Sequence, residues 1–307
     1  MDQITVFSPA SVANVGCGYD TFGFAIEGIG DFITICKRSD DQLVIEQSKG
    51  AILPNNPKEN VASIAVESYL KHINSNAGFS FTITKSFKPG SGLGSSASSA
   101  AGAVFGVNHL MGNPLSTRDL LPFVMEGEAF ASKSYHADNV APALMGGFNV
   151  VRSYEPLDIF QVPTPNDLRV LIIFPDVEVK TSEAKALLPK TLSIPDARNQ
   201  WANVAGVISA LYSSDYNLLK KSVSDVIAEP VRKKLIPGYE EVKRMMCEHG
   251  SVGFNISGSG PSMFSFFRNE QEMESVKPKV QALYQKLGHE LMLHTSKINH
   301  HGSIIIS

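Results

Sequence analysis

Residues 79–84 alternate strictly, Phe79, Phe81 and Ile83 apolar against Ser80, Thr82 and Thr84 polar, the period of two expected of a half-buried strand. That strand runs straight into Lys85-Ser86-Phe87-Lys88-Pro89-Gly90-Ser91-Gly92-Leu93-Gly94-Ser95-Ser96, after which the period changes. Ala97, Ala100, Ala101, Val104, Val107 and Met111 then recur at helical spacing. Strand, glycine-rich turn and helix N-terminus form one unit.

The same reading predicts a short strand at 4–7 and a turn-rich loop at 8–23, carrying Asn14, Gly16, Gly18 and Asp20 as breakers. Strands follow at 32–37 and 43–46, and a helix opens near Asn60 and runs to Lys71. A second helix after residues 114–117 carries Leu120, Leu121, Val124, Glu126 and Glu128 and ends in a polar loop at 134–139. Gly146-Gly147 leads into a strand at 148–152. Pro156, Pro163 and Pro165 mark the expected boundary between a domain at 1–165 and another at 166–307. Beyond it the pattern predicts strands at 169–174, 252–257, 263–267 and 290–295, and helices at 196–213, 215–228, 238–249 and 270–287. Trp201, in step with Val204, Ala205 and Ile208, is expected to pack. Strands mixed with helices in both halves make an α+β protein.

Composition narrows the function. The 307 residues are 43% hydrophobic and 19% charged, with 27 Lys+Arg against 30 Asp+Glu and a net charge of −3. There is no general basic field for nucleic acid or an anionic membrane, so any phosphate must be held locally. Cys17, Cys36 and Cys247 have no C-x-x-C spacing, which indicates neither a disulfide framework nor a zinc site and fits a reducing cytoplasm. No export signal and no apolar run approaching a membrane span is read at any point.

Backbone N–H groups at a helix N-terminus, reached through glycines, make an anion site. Gly90 to Ser96 supplies the parts, although a tight strand–helix turn alone is the alternative. A Walker A loop needs Lys-Ser/Thr after its last glycine, where this chain has Ser95-Ser96. Gly92-x-Gly94-x-x-Ala97 matches a dinucleotide fingerprint in form, but the helix is followed by Gly112-Asn113-Pro114 and another helix instead of a second parallel strand. Serine hydroxyls beside a phosphate loop suggest Mg²⁺-assisted phosphoryl transfer.

These motifs resemble those of the GHMP superfamily of small-molecule kinases. Its central loop is present as Gly92-Leu93-Gly94-Ser95-Ser96-Ala97, its N-terminal motif resembles residues 9–20 (PASVANVGCGYD), and its C-terminal glycine motif resembles residues 257–262 (SGSGPS). Within the superfamily, residues 136–142 (HADNVAP), 229–232 (EPVR) and 235–239 (LIPGY) resemble the family acting on homoserine. Two positions depart from the pattern. Lys88 stands where a proline is usual, with Pro89 displaced by one, and Lys185 follows Thr181-Ser182-Glu183-Ala184 where an arginine is usual.

The resemblance implies a two-domain fold: an N-terminal ribosomal-protein-like domain with a left-handed β-α-β unit, then a ferredoxin-like domain. It implies ATP and Mg²⁺, with L-homoserine phosphorylated on its side-chain hydroxyl for threonine biosynthesis by a cytoplasmic homodimer without nucleic-acid or membrane partners. ATP falls to Asn60, to Pro89, Gly90, Ser91, Gly92, Leu93, Gly94, Ser95, Ser96, Ala97 and Ser98, and to Gly258 and Gly260. The metal falls to Ser96 and Glu128. Asn14, Asp20, His136, Lys185 and Arg232 are implied for the substrate, and Asp138, Asn139 and Thr181 for the reacting hydroxyl. Several have a plainer alternative: Glu128, Arg232 and Lys185 as solvated helix residues, His136 as a structural residue, Asn14 and Asp20 as turn formers, Asn60 as a helix N-cap. Whether Asp138 acts as a base stays open, and it is assigned to binding and orientation because phosphoryl transfer needs little early deprotonation. The competing readings are a GHMP kinase for mevalonate, galactose or shikimate, and a binding protein that keeps the loop without the chemistry.

Overall fold

A computed structural model describes residues 2–307. The first part of the chain runs β1 (Gln3–Ala13), β2 (Phe22–Lys37), β3 (Leu43–Lys49), α1 (Val61–His72), β4 (Phe79–Thr84), α2 (Ser95–Leu110), α3 (Leu121–Ser132), α4 (Ala137–Met145), β5 (Phe148–Tyr154) and β6 (Leu157–Val162). The remainder runs β7 (Arg169–Pro175), α5 (Thr181–Ala186), α6 (Ile194–Ser213), α7 (Tyr216–Ser222), α8 (Glu229–Arg232), α9 (Tyr239–Glu248), β8 (Gly253–Ile256), β9 (Met263–Phe267), α10 (Glu270–Leu287), β10 (Leu291–Ser296) and β11 (Ile304–Ile305).

Two sheets organise these elements. The first has the order β11-β1-β2-β4-β3, with β5 joined to the other end of β2 and β6 to β5. Among the described residues only β3 and β4 pair in parallel there, connected through α1. The second has the order β10-β7-β9-β8, antiparallel throughout. Counted from β7, that order is 4-1-3-2, the ferredoxin-like arrangement.

Burial follows the residue periodicities. In β7, Val170 and Ile172 face a core shared with Phe24, Phe148, Phe264 and Phe266, while Leu171 and Ile173 face a second core with Val242, Met246, Val276 and Tyr284 from α9 and α10. Both faces of the strand are thus covered, as its unbroken apolar text requires. Phe24 of the first sheet meets Phe264 edge-on at 5.9 Å and Phe266 at 5.4 Å, so the sheets share packing where they meet. The alanine face of α2 lies in a third core against Val6, Ile33 and Ile35.

Several local expectations change. Strand β1 extends to Ala13 and β2 starts at Phe22, so the loop shrinks to residues 14–21. Pairing of Ser11 with Ala25 and of Ala13 with Gly23 carries weak strand formers into the sheet, with a register shift between Pro9 and Ser11. Proline lacks an N–H, and such an irregularity is where a strand tolerates it. The loop expected at 134–139 already contains the start of α4, hidden in the sequence by Pro142 inside that helix. The helix expected at 215–228 stops at Ser222, and α8 follows after a turn around the buried Asp225. Trp201 does not pack: it is 59% exposed, as are Ile194 at 75% and Tyr212 at 63%. Among the described residues no helix is long and apolar enough to cross a membrane.

Candidate active site

The glycine loop lies between β4 and α2, and two positions show why glycine is needed. At Gly92 (φ 81°) a Cβ would press on the Ser257 and Gly260 carbonyls, and at Gly94 (φ 67°) on the side chains of Ser11 and Asn139. Positive φ is itself costly for other residues. Gly94 is the N-cap of α2 and no side chain caps this helix, which leaves first-turn N–H groups and the positive end of the helix dipole for an anion. The C-terminal glycine segment closes over the loop: Ser257 donates to the Gly92 carbonyl at 2.6 Å, and Ser262 N–H to the Ser91 carbonyl at 3.2 Å. Gly258 N–H reaches the Ala13 carbonyl at 3.0 Å, tying in the end of β1.

A cavity of about 290 Å³ opens in front of this loop. It gathers Asn14, Asp20, Pro89, Gly90, Gly92, Gly94, Ser95, Ser96, Glu128, His136, Asp138, Asn139, Thr181, Lys185, Arg232 and Gly258. An adjoining, mostly apolar cavity of about 250 Å³ is lined by Leu53, Pro54, Asn60, Val61, Lys85 and Phe130. Asn60 is the N-cap of α1, accepting from Ala62 N–H at 3.0 Å and donating to the Pro54 carbonyl at 2.9 Å. Four other named residues turn away from the cleft. Leu93 and Ala97 lie in cores, Ser91 is buried, and Ser98 donates to the Ser8 carbonyl at 2.8 Å. With these side chains turned inward, it is chiefly the backbone of the stretch that meets the cleft. Gly260 stands behind Gly92.

Carboxylates cluster on one wall. Ser96 hydrogen-bonds the Glu128 carboxylate, which is 7% exposed. Burial raises the Glu128 pKa to about 7, against the opposing pull of Ser96 and His136. Asp138 is 1% exposed with Oδ1 unpartnered among the described residues. Burial first, then Asp20, raises its pKa to about 6. His136 Nδ1 is 3.4 Å from Asp20 Oδ1, and Nε2 is 2.8 Å from Ser134 Oγ. Its bond to Asp20 first, with Asp138 and Glu128, outweighs burial and raises its pKa. Asn14 and Asp20 both hold positive φ, and Asp20 N–H donates to Asn14 Oδ1 at 2.7 Å. The turn-forming alternative is therefore realised inside a loop that also lines the cavity.

Cations face this wall. Arg232 is 4% exposed, donates to the Gly258 carbonyl at 2.9 Å and to the Ala184 carbonyl at 3.4 Å, and lies 5.2 Å from the Tyr19 ring centre. Lys185 Nζ donates to Ser134 Oγ at 3.0 Å, linking α5 to the segment before α4. Thr181 Oγ1 is 3.4 Å from Ser259 Oγ, and Asn139 Oδ1 accepts from Ser11 Oγ at 2.8 Å. Tyr19 and Ser259 line the cavity without having been singled out. Tyr19 lies inside the motif at 9–20 and Ser259 inside that at 257–262, so membership of a motif was the available signal.

Comparisons with known proteins agree with this construction. The family model for the GHMP kinases N terminal domain matches residues 60–147, and that for GHMP kinases C terminal matches residues 207–286. The chain is 41% identical over 299 residues to a homoserine kinase of Chloroherpeton thalassium, covering 94% of each chain. It is 38% identical to a homoserine kinase of Methanococcus maripaludis, covering 89% of this chain and 91% of that one. The crystal structure of homoserine kinase from Cytophaga hutchinsonii matches with a TM-score of 0.96 and 40% identity over 100% of this chain and 98% of that one. With its loop, cavity and both domain signatures in place, the chain belongs to the GHMP kinases and, within them, to the homoserine kinase family.

Proposed function

We propose that the chain transfers the γ-phosphoryl group of ATP to the side-chain hydroxyl of L-homoserine, giving O-phospho-L-homoserine. One observation carries this reading. Buried Arg232 and the exposed Lys185 line the same small cavity as the carboxylates of Asp20 and Asp138, directly beside the glycine loop. An amino acid has the matching pattern: a carboxylate for the guanidinium, which can bind it bidentately, and an ammonium for the acidic wall. A sugar alcohol has neither charge, and mevalonate has only the carboxylate.

The residues suit the other reactant. The uncapped start of α2 and the glycine cradle fit phosphates, and the apolar neighbouring cavity fits an adenine. Ser96 and Glu128 are hard oxygen donors of the kind Mg²⁺ takes alongside nucleotide phosphates. When bound there, Mg²⁺ supplies charge neutralisation on the phosphates. Asp138 and Asn139, at the start of α4, and Thr181, at the start of α5, orient the hydroxyl for in-line attack. Positioning of this kind carries much of the acceleration in phosphoryl transfer. Asp138, with its pKa at about 6, is largely ionised at neutral pH and can accept the hydroxyl proton late in the transfer. We assign residues 1–165 and 166–307 to the two domains, with β11 at the end of the second returning to the sheet of the first.

The test is ADP release with ATP and Mg²⁺ against homoserine, threonine, mevalonate, galactose and shikimate. Homoserine should give the highest kcat/KM. Faster turnover of mevalonate or a sugar would leave the family intact and overturn the substrate.

A further inference from the structure

Two buried polar residues outside the cavity lining hold its recognition elements together. Asp225, 6% exposed, lies in the turn between α7 and α8. Its Oδ1 accepts from Ile227 N–H at 2.8 Å and Ala228 N–H at 3.2 Å. Its Oδ2 accepts from Ala228 N–H at 3.0 Å and Glu229 N–H at 2.8 Å. The carboxylate thus gathers successive N–H groups at the start of α8, whose last residue is Arg232. Gln200 of α6, 7% exposed, completes the arrangement. Its Nε2 donates to Asp225 Oδ1 at 3.0 Å and to the Cys17 carbonyl at 2.9 Å, while its Oε1 accepts from Val226 N–H at 3.0 Å.

Cys17 belongs to the loop 14–21 that presents Asn14, Tyr19 and Asp20 to the cavity. One side chain therefore bonds the loop bearing the acidic recognition group and the turn that aims the cationic one. Neither Gln200 nor Asp225 lines the cavity. We propose that Gln200 and Asp225 are positioning residues for the amino acid substrate: they fix the spacing between Asp20 and Arg232, and so the fit to a substrate whose ammonium and carboxylate are joined through one carbon. This rests on the substrate reading above. A four-residue helix cannot sustain its own geometry, so Arg232 depends on the carboxylate that collects the N–H groups ahead of it. Bonds to a buried charge are among the stronger ones, and the exchange of Asp225 for its amide sets an NH₂ against N–H donors on one side and leaves a weaker, neutral acceptor on the other.

The test compares Asp225→Asn and Gln200→Met with the unaltered chain. Substrates are homoserine, its analogue without the carboxylate (3-aminopropan-1-ol), and ATP as the varied co-substrate. Both variants should raise the KM for homoserine, Asp225→Asn by roughly 10-fold or more, as expected for bonds to a charged group. The KM for ATP should hold and kcat should move little. The penalty should shrink markedly with the analogue, and Asp225→Asn combined with Arg232→Ala should lose little beyond Arg232→Ala alone. Losses that multiply, or that fall equally on homoserine, the analogue and the KM for ATP, would show a merely structural role and overturn the proposal. If Asp225→Asn does not fold, Gln200→Met, near in volume and uncharged, decides the matter by the same comparison. An unaltered chain that releases no ADP with homoserine overturns the substrate reading and this inference with it. Normal turnover with unshifted variants overturns the inference alone.

Discussion

Ser96, in the first turn of α2, hydrogen-bonds the buried carboxylate of Glu128 on α3. The pair joins the phosphate-binding turn to the neighbouring helix, and a hard cation would draw on both oxygens.

Glu128→Gln should lower turnover and raise the Mg²⁺ concentration needed for half-maximal rate, because an amide is a poorer ligand than a carboxylate for a cation that dehydrates reluctantly. Ser96→Ala should act in the same direction more weakly, since water replaces a neutral hydroxyl. An unchanged Mg²⁺ titration for Glu128→Gln would remove Glu128 from the metal site.

The pH dependence has a definite sign. Folding raises Glu128 to about 7 and Asp138 to about 6, so the folded chain holds more protons than the unfolded one from the ordinary carboxylate range up to those values. Stability then falls as pH rises through that window. His136, also raised, adds in the same direction, because its favourable charge is lost as pH climbs through its folded pKa. Calorimetry without nucleotide or metal should show a lower Tm at pH 8 than at pH 5.5, by about 2–4 °C for each kcal/mol involved. Activity should move oppositely, kcat/KM rising between about pH 6 and pH 7 as the carboxylates ionise. A Tm that climbs over this range would contradict the burial of these groups.

Arg232→Ala should cost about 2–5 kcal/mol in kcat/KM for homoserine, the range for truncating one partner of a buried charged pair. The loss should nearly vanish with 3-aminopropan-1-ol. Lys185→Ala should cost less, since Lys185 is exposed and bonded to Ser134, while Lys185→Arg should be tolerated or mildly beneficial, its planar fork orienting a carboxylate better. Equal losses with both substrates would make Arg232 a support of the fold.

Beneath the glycine loop, Lys85 pairs with Asp31 and donates to the Ser95 carbonyl at 2.8 Å and to Ser99 Oγ at 3.0 Å. Burial pushes Asp31 up and Lys85 down against their mutual attraction, the mark of a pair whose desolvation is costly. Lys85→Met should therefore destabilise the chain by about 3–5 kcal/mol in urea, leaving a lone buried carboxylate, and a second change, Asp31→Leu, should recover much of this. A double variant no better than Lys85→Met would show that the pair is net stabilising.

The strand–turn–helix unit was legible because local rules suffice for it. Phe79 to Thr84 alternates, Gly94 sits at the helix start, and α2 carries its apolar face at the helical period. Site roles rested on motif resemblance. What escaped depends on distant partners. Ser8 to Ala13 has little strand character of its own and is held by β2. Pro142 disguised α4 although its missing N–H leaves the Asp138 carbonyl unused within the helix, and that oxygen packs against Gly23, where a Cβ would collide with it. Trp201 is in step with Val204 and Ile208, which are only partly buried, while the fully buried Val207 and Leu211 lie further round the helix, and periodicity does not say which edge of an apolar stripe meets the core. The brace of Gln200, Cys17 and Asp225 joins three separate segments, and no spacing in the sequence announces it.

Strand β11 returns to the first sheet, pairing Val6 with Ile305 and Phe7 with Ile304 after the entire second sheet has intervened. Contacts of such sequence separation form late, because the long loop must close before they reward it. Until then β1 presents a row of bare N–H and C=O groups, an adhesive edge for another chain. The two halves are accordingly poor candidates for separate expression. Cut between β6 and β7, the first half would keep that open edge and the second would bare Phe264 and Phe266, so recovery by mixing should favour co-expression, in which each fragment covers the other before aggregation sets in.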